Sequence, residues 1–383
     1  MLRKLPIGIQ SFEQIRSGGY VYVDKTRPLA GMIDRGKSFF LSRPRRFGKS
    51  LTVSTFQAMF EGRRDLFDGT WLGQHWSLHP HPVIRFDMSE LCAPDEGTLL
   101  LSLGEKIRRE AARQGVSLES TVFTNAFAEL IEKVSVRGDV VVLVDEYDKP
   151  ILDNLHDLRT VSRVRDVMRS FYAILKSADS HLRFVFLTGI STLSKVSVFS
   201  SLNSLSDVSL SESCAAMLGY TQEELERSFE GHIAASAEKC GIPREELLER
   251  LRERYDGFSF DGRTRVYNPF SILNFFADGR FRNYWFESGS PGFLVRYARE
   301  RSLSPESLSR VMVDRDFPNI YEIEEAPPES LLWQAGYLTI KEAGERSYTL
   351  DFPNREVRES FNRLFSAGAI LSSSTRGGST SWS

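Results

Sequence analysis

Two clusters of residues have the types and spacing for phosphate chemistry. The first is Gly48-Lys49-Ser50, which closes the run Ser38-Phe-Phe-Leu-Ser-Arg-Pro-Arg-Arg-Phe-Gly-Lys-Ser50. In a phosphate-binding loop, backbone N–H groups and a helix N-terminus hold phosphate oxygens. A lysine reaches the β- and γ-phosphates, and a serine hydroxyl ligates Mg²⁺. Lys49 and Ser50 are of those types, and Arg43, Arg45, Arg46, Phe47, Gly48 and Leu51 flank them as candidate nucleotide-binding residues. The pattern asks for a glycine where Arg43 stands, so the motif is incomplete. The second cluster is Asp145-Glu146, continued by Tyr147-Asp148-Lys149-Pro150. An Asp at a strand end can hold Mg²⁺, with Ser50 as the other protein ligand, and the next residue, Glu146, can orient and deprotonate an attacking water. Each cluster has an ordinary reading, a basic helix start for one and a loop opening for the other. Their occurrence together, in the expected order, favours an ATP site with Mg²⁺.

The elements around them are those such a site needs. Phe39, Phe40 and Leu41 form a short apolar run, and Leu51, Val53, Phe56, Met59 and Phe60 recur at helical spacing, which gives strand, loop and helix. Residues 82–88 read as a second strand, followed by helices near 97–113 and 118–134. Val140-Val141-Val142-Leu143-Val144 suits a strand buried on both faces of a parallel sheet, and it places Asp145 and Glu146 at its carboxyl end, where ligands bind in open α/β sheets. A helix over 159–177 leads to the strand 183–187 and then Thr188-Gly189-Ile190-Ser191, where Thr188 is read as a sensor of the γ-phosphate. Asp207 to Leu210 is read as the last strand.

The expected fold is therefore α/β, a doubly wound parallel five-stranded P-loop NTPase sheet with helices on both faces, followed by a mostly helical region and a winged-helix-like unit. The divisions are an N-terminal segment packing on the core (1–37), an ATPase domain (38–215), an aromatic-rich helical domain (216–300), a winged-helix-like region (301–365) and a flexible tail (366–383). In the N-terminal segment, Asp24 or Thr26 is expected to cap a helix over 28–34. The alternative is that this segment lies over the nucleotide base.

Composition narrows the class. The 383 residues carry a net charge of only -2, so no global field selects nucleic acid or an acidic membrane. Cys92, Cys214 and Cys240 form no CxxC pair, which fits a reduced cytoplasmic setting, and no apolar run is long enough to span a membrane. Thirteen aromatics between Tyr255 and Tyr297 lack a dense Arg/Lys weave and are read as a helical core rather than a base-stacking platform.

The strings Leu5-Pro-Ile-Gly-Ile-Gln, Tyr22-Val-Asp-Lys-Thr26, Phe40-Leu-Ser-Arg-Pro-Arg-Arg-Phe-Gly-Lys-Ser50, Val144-Asp-Glu-Tyr-Asp-Lys-Pro-Ile151 and Tyr267-Asn-Pro-Phe270 resemble bacterial AAA-ATPase-like proteins whose C-terminal part is a PD-(D/E)XK nuclease-like domain. The resemblance implies an ATPase module in which Arg43 is family usage. The leading reading of the residues makes Lys49, Glu146 and Thr188 catalytic and puts Ser50 and Asp145 on the metal, with DNA, a protein or further copies of the chain as candidate partners. The resemblance also implies a nuclease-like domain beyond the winged-helix region. The last fifty residues contain no Asp…(Asp/Glu)-x-Lys constellation, and nuclease activity is not expected of this chain.

Overall fold

The computed structural model describes residues 2–192, 198–200, 202–289, 303–317 and 326–363. Phe293, Tyr297 and the expected tail over 366–383 lie outside the described residues.

The sheet follows from alternation. Strands β1 (Ser38–Ser42), β2 (Val83–Asp87), β3 (Val140–Asp145), β4 (Leu182–Gly189) and β5 (Ser206–Asp207) form one sheet in the order β2-β3-β4-β1-β5. Every pairing in it is parallel. Successive side chains of a strand face opposite sides, and both sides here are apolar. Val141 and Leu143 of β3 join one core with Phe39, Leu41, Phe184 and Phe186. Val140, Val142 and Val144 join the other with Phe40, Val185 and Leu187. Each such side chain, fully buried, contributes about 1.5–3 kcal/mol. The loop helix Lys49–Phe60 packs on the first face, and the helices Glu96–Arg113, Phe123–Ser135 and Leu158–Ser177 cover the second.

Two boundaries differ from expectation for local reasons. The second of the paired helices starts at Phe123, not near 118, because the Glu129 carboxylate accepts the N–H groups of Glu119 and Ser120 and holds them in a loop. The last strand is Ser206–Asp207: the Asp207 carboxylate accepts the N–H of Ser209 and turns the chain.

Beyond the sheet, the helix Gln222–Cys240 starts with a capping box between Thr221 and Glu224, followed by Arg244–Tyr255 and Pro269–Asp278. Their apolar faces form a third core that takes in Val21 and Val23 from the N-terminal segment. The helix Pro328–Ala335 leads into β7 (Thr339–Ala343) and β8 (Ser347–Asp351), the expected helix, turn and hairpin. A strand not foreseen, β6 (Val311–Asp314), extends the hairpin to an antiparallel sheet of order β6-β8-β7. Tyr337, Ile340, Leu350 and Val357 from this part share the core that contains Phe39 and Phe186 of the parallel sheet.

Candidate functional site

The loop after β1 turns through Arg46 and Gly48, both at positive φ (69° and 94°), and Gly48 is the N-cap of the helix that begins with Lys49. A left-handed N-cap without a side chain leaves the first N–H groups of that helix open toward the loop. Lys49 is buried, and its ammonium donates to the carbonyls of Arg43 (2.9 Å) and Pro44 (3.1 Å). Burial pulls its pKa down, and the carboxylates of Glu146, Asp145 and Asp148 oppose that.

The acids arrive from β3. The register pairs Asp145 with Asp87 of β2, and β4 lies between β3 and β1. One oxygen of the buried Asp145 carboxylate accepts the N–H of Glu146 (3.0 Å), and the other, Oδ2, is buried without a protein partner. Burial pushes Asp145 up, and hydrogen bonding from the Ser50 side chain pulls it back. Glu146 adopts a left-handed backbone, φ 51°, rare for a residue with a side chain and common where geometry is held for a purpose. Burial also pushes the Glu146 pKa up, opposed by Lys49.

Gly48, Lys49, Ser50, Leu51 and Glu146 line one cavity of about 400 Å³, with Arg45, Arg46 and Lys149 beside them. Its far wall comes from elsewhere in the chain: Pro6, Ile9 and Gln10 from the N-terminus, Tyr220, and Pro269 and Phe270. An apolar recess of about 70 Å³, walled by Val21, Val23, Met217 and Leu218 among others, adjoins it at Gly48, Leu51 and Tyr220. The volume and the mixture of cations with apolar walls suit a nucleotide.

Not every residue expected at the site faces it. The Arg43 guanidinium is turned under the loop, where it donates to the carbonyls of Ser42, Ser209 and Cys214 at 2.7–2.9 Å and lies over the Phe260 ring. The phosphate-facing reading of Arg43 is corrected accordingly: only its carbonyl takes part, through Lys49. Arg45 and Arg46 do line the cavity, and Arg46 stacks on Phe270, 4.8 Å from the ring centroid. Phe47 is a core residue, edge-on to Phe258 and Phe260. Thr188 is fully buried and its hydroxyl donates to the carbonyl of Leu41 (2.7 Å), so the side chain read as a γ-phosphate sensor instead pins β4 to β1.

The string Tyr22-Val-Asp-Lys-Thr26 is a brace. Asp24 accepts from the N–H and hydroxyl of Thr26 and from the N–H of Trp71, and Lys25 donates to Glu224 and to the carbonyl of Ala216. The bond to Glu224 ties the capped helix Gln222–Cys240, next to Tyr220, to the N-terminal segment. The helix runs over Thr26–Arg35 with Lys25 at its N-cap and no side-chain cap, so the cap expected from Asp24 or Thr26 is not formed; Asp24 instead accepts the N–H of Thr26, the first helical residue.

Three contributors are not legible from motif spacing. Trp285 donates its indole N–H to the carbonyl of Arg45 (3.3 Å). Gly336, at φ 88°, lies against Pro44, and a Cβ there would stand 2.8 Å from the proline Cβ. Tyr220 reaches the cavity through paired backbone bonds with Tyr267, two residues before Pro269. The string Tyr267-Asn-Pro-Phe270 was the available signal for this wall: Asn268 caps the helix that starts at Pro269.

A family model described as a predicted AAA-ATPase matches residues 6–199. A protein of Azotobacter chroococcum mcd 1, described as "Uncharacterized protein in vnfD 5'region", is 39% identical over 368 residues, 94% of this chain and 69% of that protein's length. The matched span runs from the Pro6 wall of the cavity through both Gly48-Lys49-Ser50 and Asp145-Glu146. No described helix is long and apolar enough to cross a membrane.

Proposed function

Because the chain belongs to the predicted AAA-ATPase-like family, we propose that it binds ATP in the cavity over Gly48-Lys49-Ser50 and hydrolyses it with Mg²⁺. The observation that carries this reading is the convergence of the loop helix N-terminus, Lys49 and the Glu146 carboxylate on one cavity, from segments far apart in the chain. Lys49 and the N–H groups after Gly48 bind the β- and γ-phosphates. Arg45 and Arg46 add positive charge at the rim. Glu146 orients the attacking water and takes its proton. Pro6, Ile9, Tyr220 and Phe270 hold the nucleoside and keep water off it.

The residues present fit a magnesium ion. The Ser50 hydroxyl and the Asp145 carboxylate are hard oxygen donors, and Asp145 Oδ2 is buried with no protein partner. Among the described residues no group of three or more His, Cys, Asp or Glu forms a closed metal cage. A pair of oxygen ligands completed by phosphates and water is the usual arrangement for Mg²⁺. Bound there, the ion neutralises charge on the transferring phosphoryl group.

A nucleotide-gated module with slow hydrolysis, presenting its C-terminal half to a protein or DNA, is the second reading. The bonding of Thr188 to Leu41 favours it, since that hydroxyl is committed within the sheet. The binding step is tested by heat: ATP with Mg²⁺ should raise the melting temperature by several degrees at about a hundred times Kd. Lys49→Ala should abolish the shift. An equal shift in the variant would remove Lys49 from the site.

A further inference from the structure

The end of β4 is bound by three separate parts of the chain. Asp148, fully buried, accepts the N–H groups of Ile190 (3.1 Å) and Ser191 (2.6 Å). The Ser42 hydroxyl donates to the carbonyl of Ile190 (2.7 Å), and the Tyr147 hydroxyl donates to that of Ser191 (2.8 Å). β1 and the segment after β3 thus fix residues 190 and 191, close in sequence to the loop and acid segments that line the cavity. The next residue is bound from the C-terminal half. Gln334 Oε1 accepts the N–H of Thr192 (3.0 Å), and its Nε2 donates to the Thr192 hydroxyl (3.0 Å). Both residues are buried, at 4% and 1% exposure. An apolar side chain at 334 would remove both of these buried bonds.

Gln334 lies in the last turn of the helix Pro328–Ala335, two residues before Gly336, which rests on Pro44. One turn of chain therefore touches both the end of β4 and the phosphate loop. The Pro44 carbonyl is an acceptor for the Lys49 ammonium. A phosphate that drew that ammonium away would compete with Pro44 for it, and would thereby act on the loop residue that Gly336 rests against. A ligand moves a remote element only through such differential contacts.

We propose that Gln334 is a positioning residue that couples this site to the C-terminal half. It holds Thr192 in place next to Ile190 and Ser191, which Asp148 and Tyr147 bind, and it transmits nucleotide-dependent movement of the loop and the β4 end to the helix Pro328–Ala335. The inference rests on the nucleotide reading of the cavity. A purely structural Gln334 would change stability alone; a coupling Gln334 changes how the helix answers ATP.

The test is amide hydrogen exchange of Pro328–Ala335 with and without ATP and Mg²⁺, in wild type, Gln334→Leu and Thr192→Val, with ATP affinity and turnover measured for each. In wild type, ATP should change exchange in this helix by about tenfold. Gln334→Leu should keep ATP affinity within about threefold, lose the exchange response and turn over about tenfold more slowly. Thr192→Val, which keeps the backbone bond, should show a smaller change of the same sign, and the double variant should be no worse than Gln334→Leu. A response that persists in Gln334→Leu, or effects that add in the double variant, would overturn the inference. ATP binding to wild type with no change in the helix overturns it and leaves the nucleotide reading intact; no ATP binding removes both.

Discussion

The two walls of the cavity are made by different rules. On the sheet side, each chemical group sits within a residue or two of the end of a regular element: Lys49 and Ser50 open a helix, and Asp145 and Glu146 close a strand. On the opposite side, Pro6, Tyr220 and Phe270 come from turns and helix ends spread over most of the chain, with Trp285 and Gly336 supporting the loop from behind at Arg45 and Pro44. The first wall is fixed by hydrogen bonds within the sheet and by cores on both of its faces. The second is held to the first by a small number of specific bonds, among them Trp285 to Arg45 and Gln334 to Thr192, and is tied together by Lys25 to Glu224. Chemistry is local to the sheet edge; its positioning depends on distant parts of the chain. The cavity lies at the carboxyl edge of a parallel sheet, where strand ends bring side chains and backbone dipoles together.

Arg43 is the sharpest place to break this contrast, because it stands at a motif position yet serves the fold. Arg43→Gly supplies the glycine that the phosphate-loop pattern asks for. It also removes a buried guanidinium and strands three buried carbonyls. Burial lowers the Arg43 pKa to about 10, which leaves it charged at neutral pH. The variant should lose about 3–5 kcal/mol of stability in chemical denaturation. A loss below about 1 kcal/mol would mean that Arg43 is dispensable to the fold.

A smaller effect is expected at Asp148, which joins the acid segment to the β4 end. Burial pushes its pKa up to about 6 from 3.8, while its backbone hydrogen bonds and Lys49 oppose the rise. The nearby Tyr172 hydroxyl is itself held neutral by burial. The folded-state pKa is the higher one, so the folded protein binds the proton more tightly. The stabilising contribution is full below pH 4, is lost as pH rises through 6, and is flat above that. Asp148→Asn removes the titration. Between pH 4 and 6.5, wild type should lose up to about 2 kcal/mol relative to the variant in urea denaturation. A constant difference across that range would place the Asp148 pKa near its ordinary value.

Much of the first wall was legible in the sequence. Val140 to Val144 is apolar throughout because both faces of β3 are covered, and such a strand can end only where a polar residue can be solvated or paired, at Asp145. Glycine before Lys49 marked the left-handed turn. Side-chain direction was not legible. Arg43 and Arg45 lie two residues apart in one loop, and only the long-range acceptors on Ser209 and Cys214 draw one of them under the sheet. The Thr188 hydroxyl likewise pairs across the sheet with Leu41, a register that strand composition does not encode. Glu129, which delays its helix, acts on residues nine and ten positions before it. The second wall was visible only as unexplained strings, such as Leu5 to Gln10 and Tyr267 to Phe270, because their meaning lies in what they face.

Whether Glu146 acts on a nucleotide held at Gly48-Lys49-Ser50 is decided by the chemistry itself. The direct measurement is phosphate release by wild type and Glu146→Gln at saturating ATP and Mg²⁺, with ATP affinity measured on the same preparations. Turnover should be at least about a hundredfold lower in the variant, with affinity unchanged. Equal turnover in the two proteins would contradict that role of Glu146.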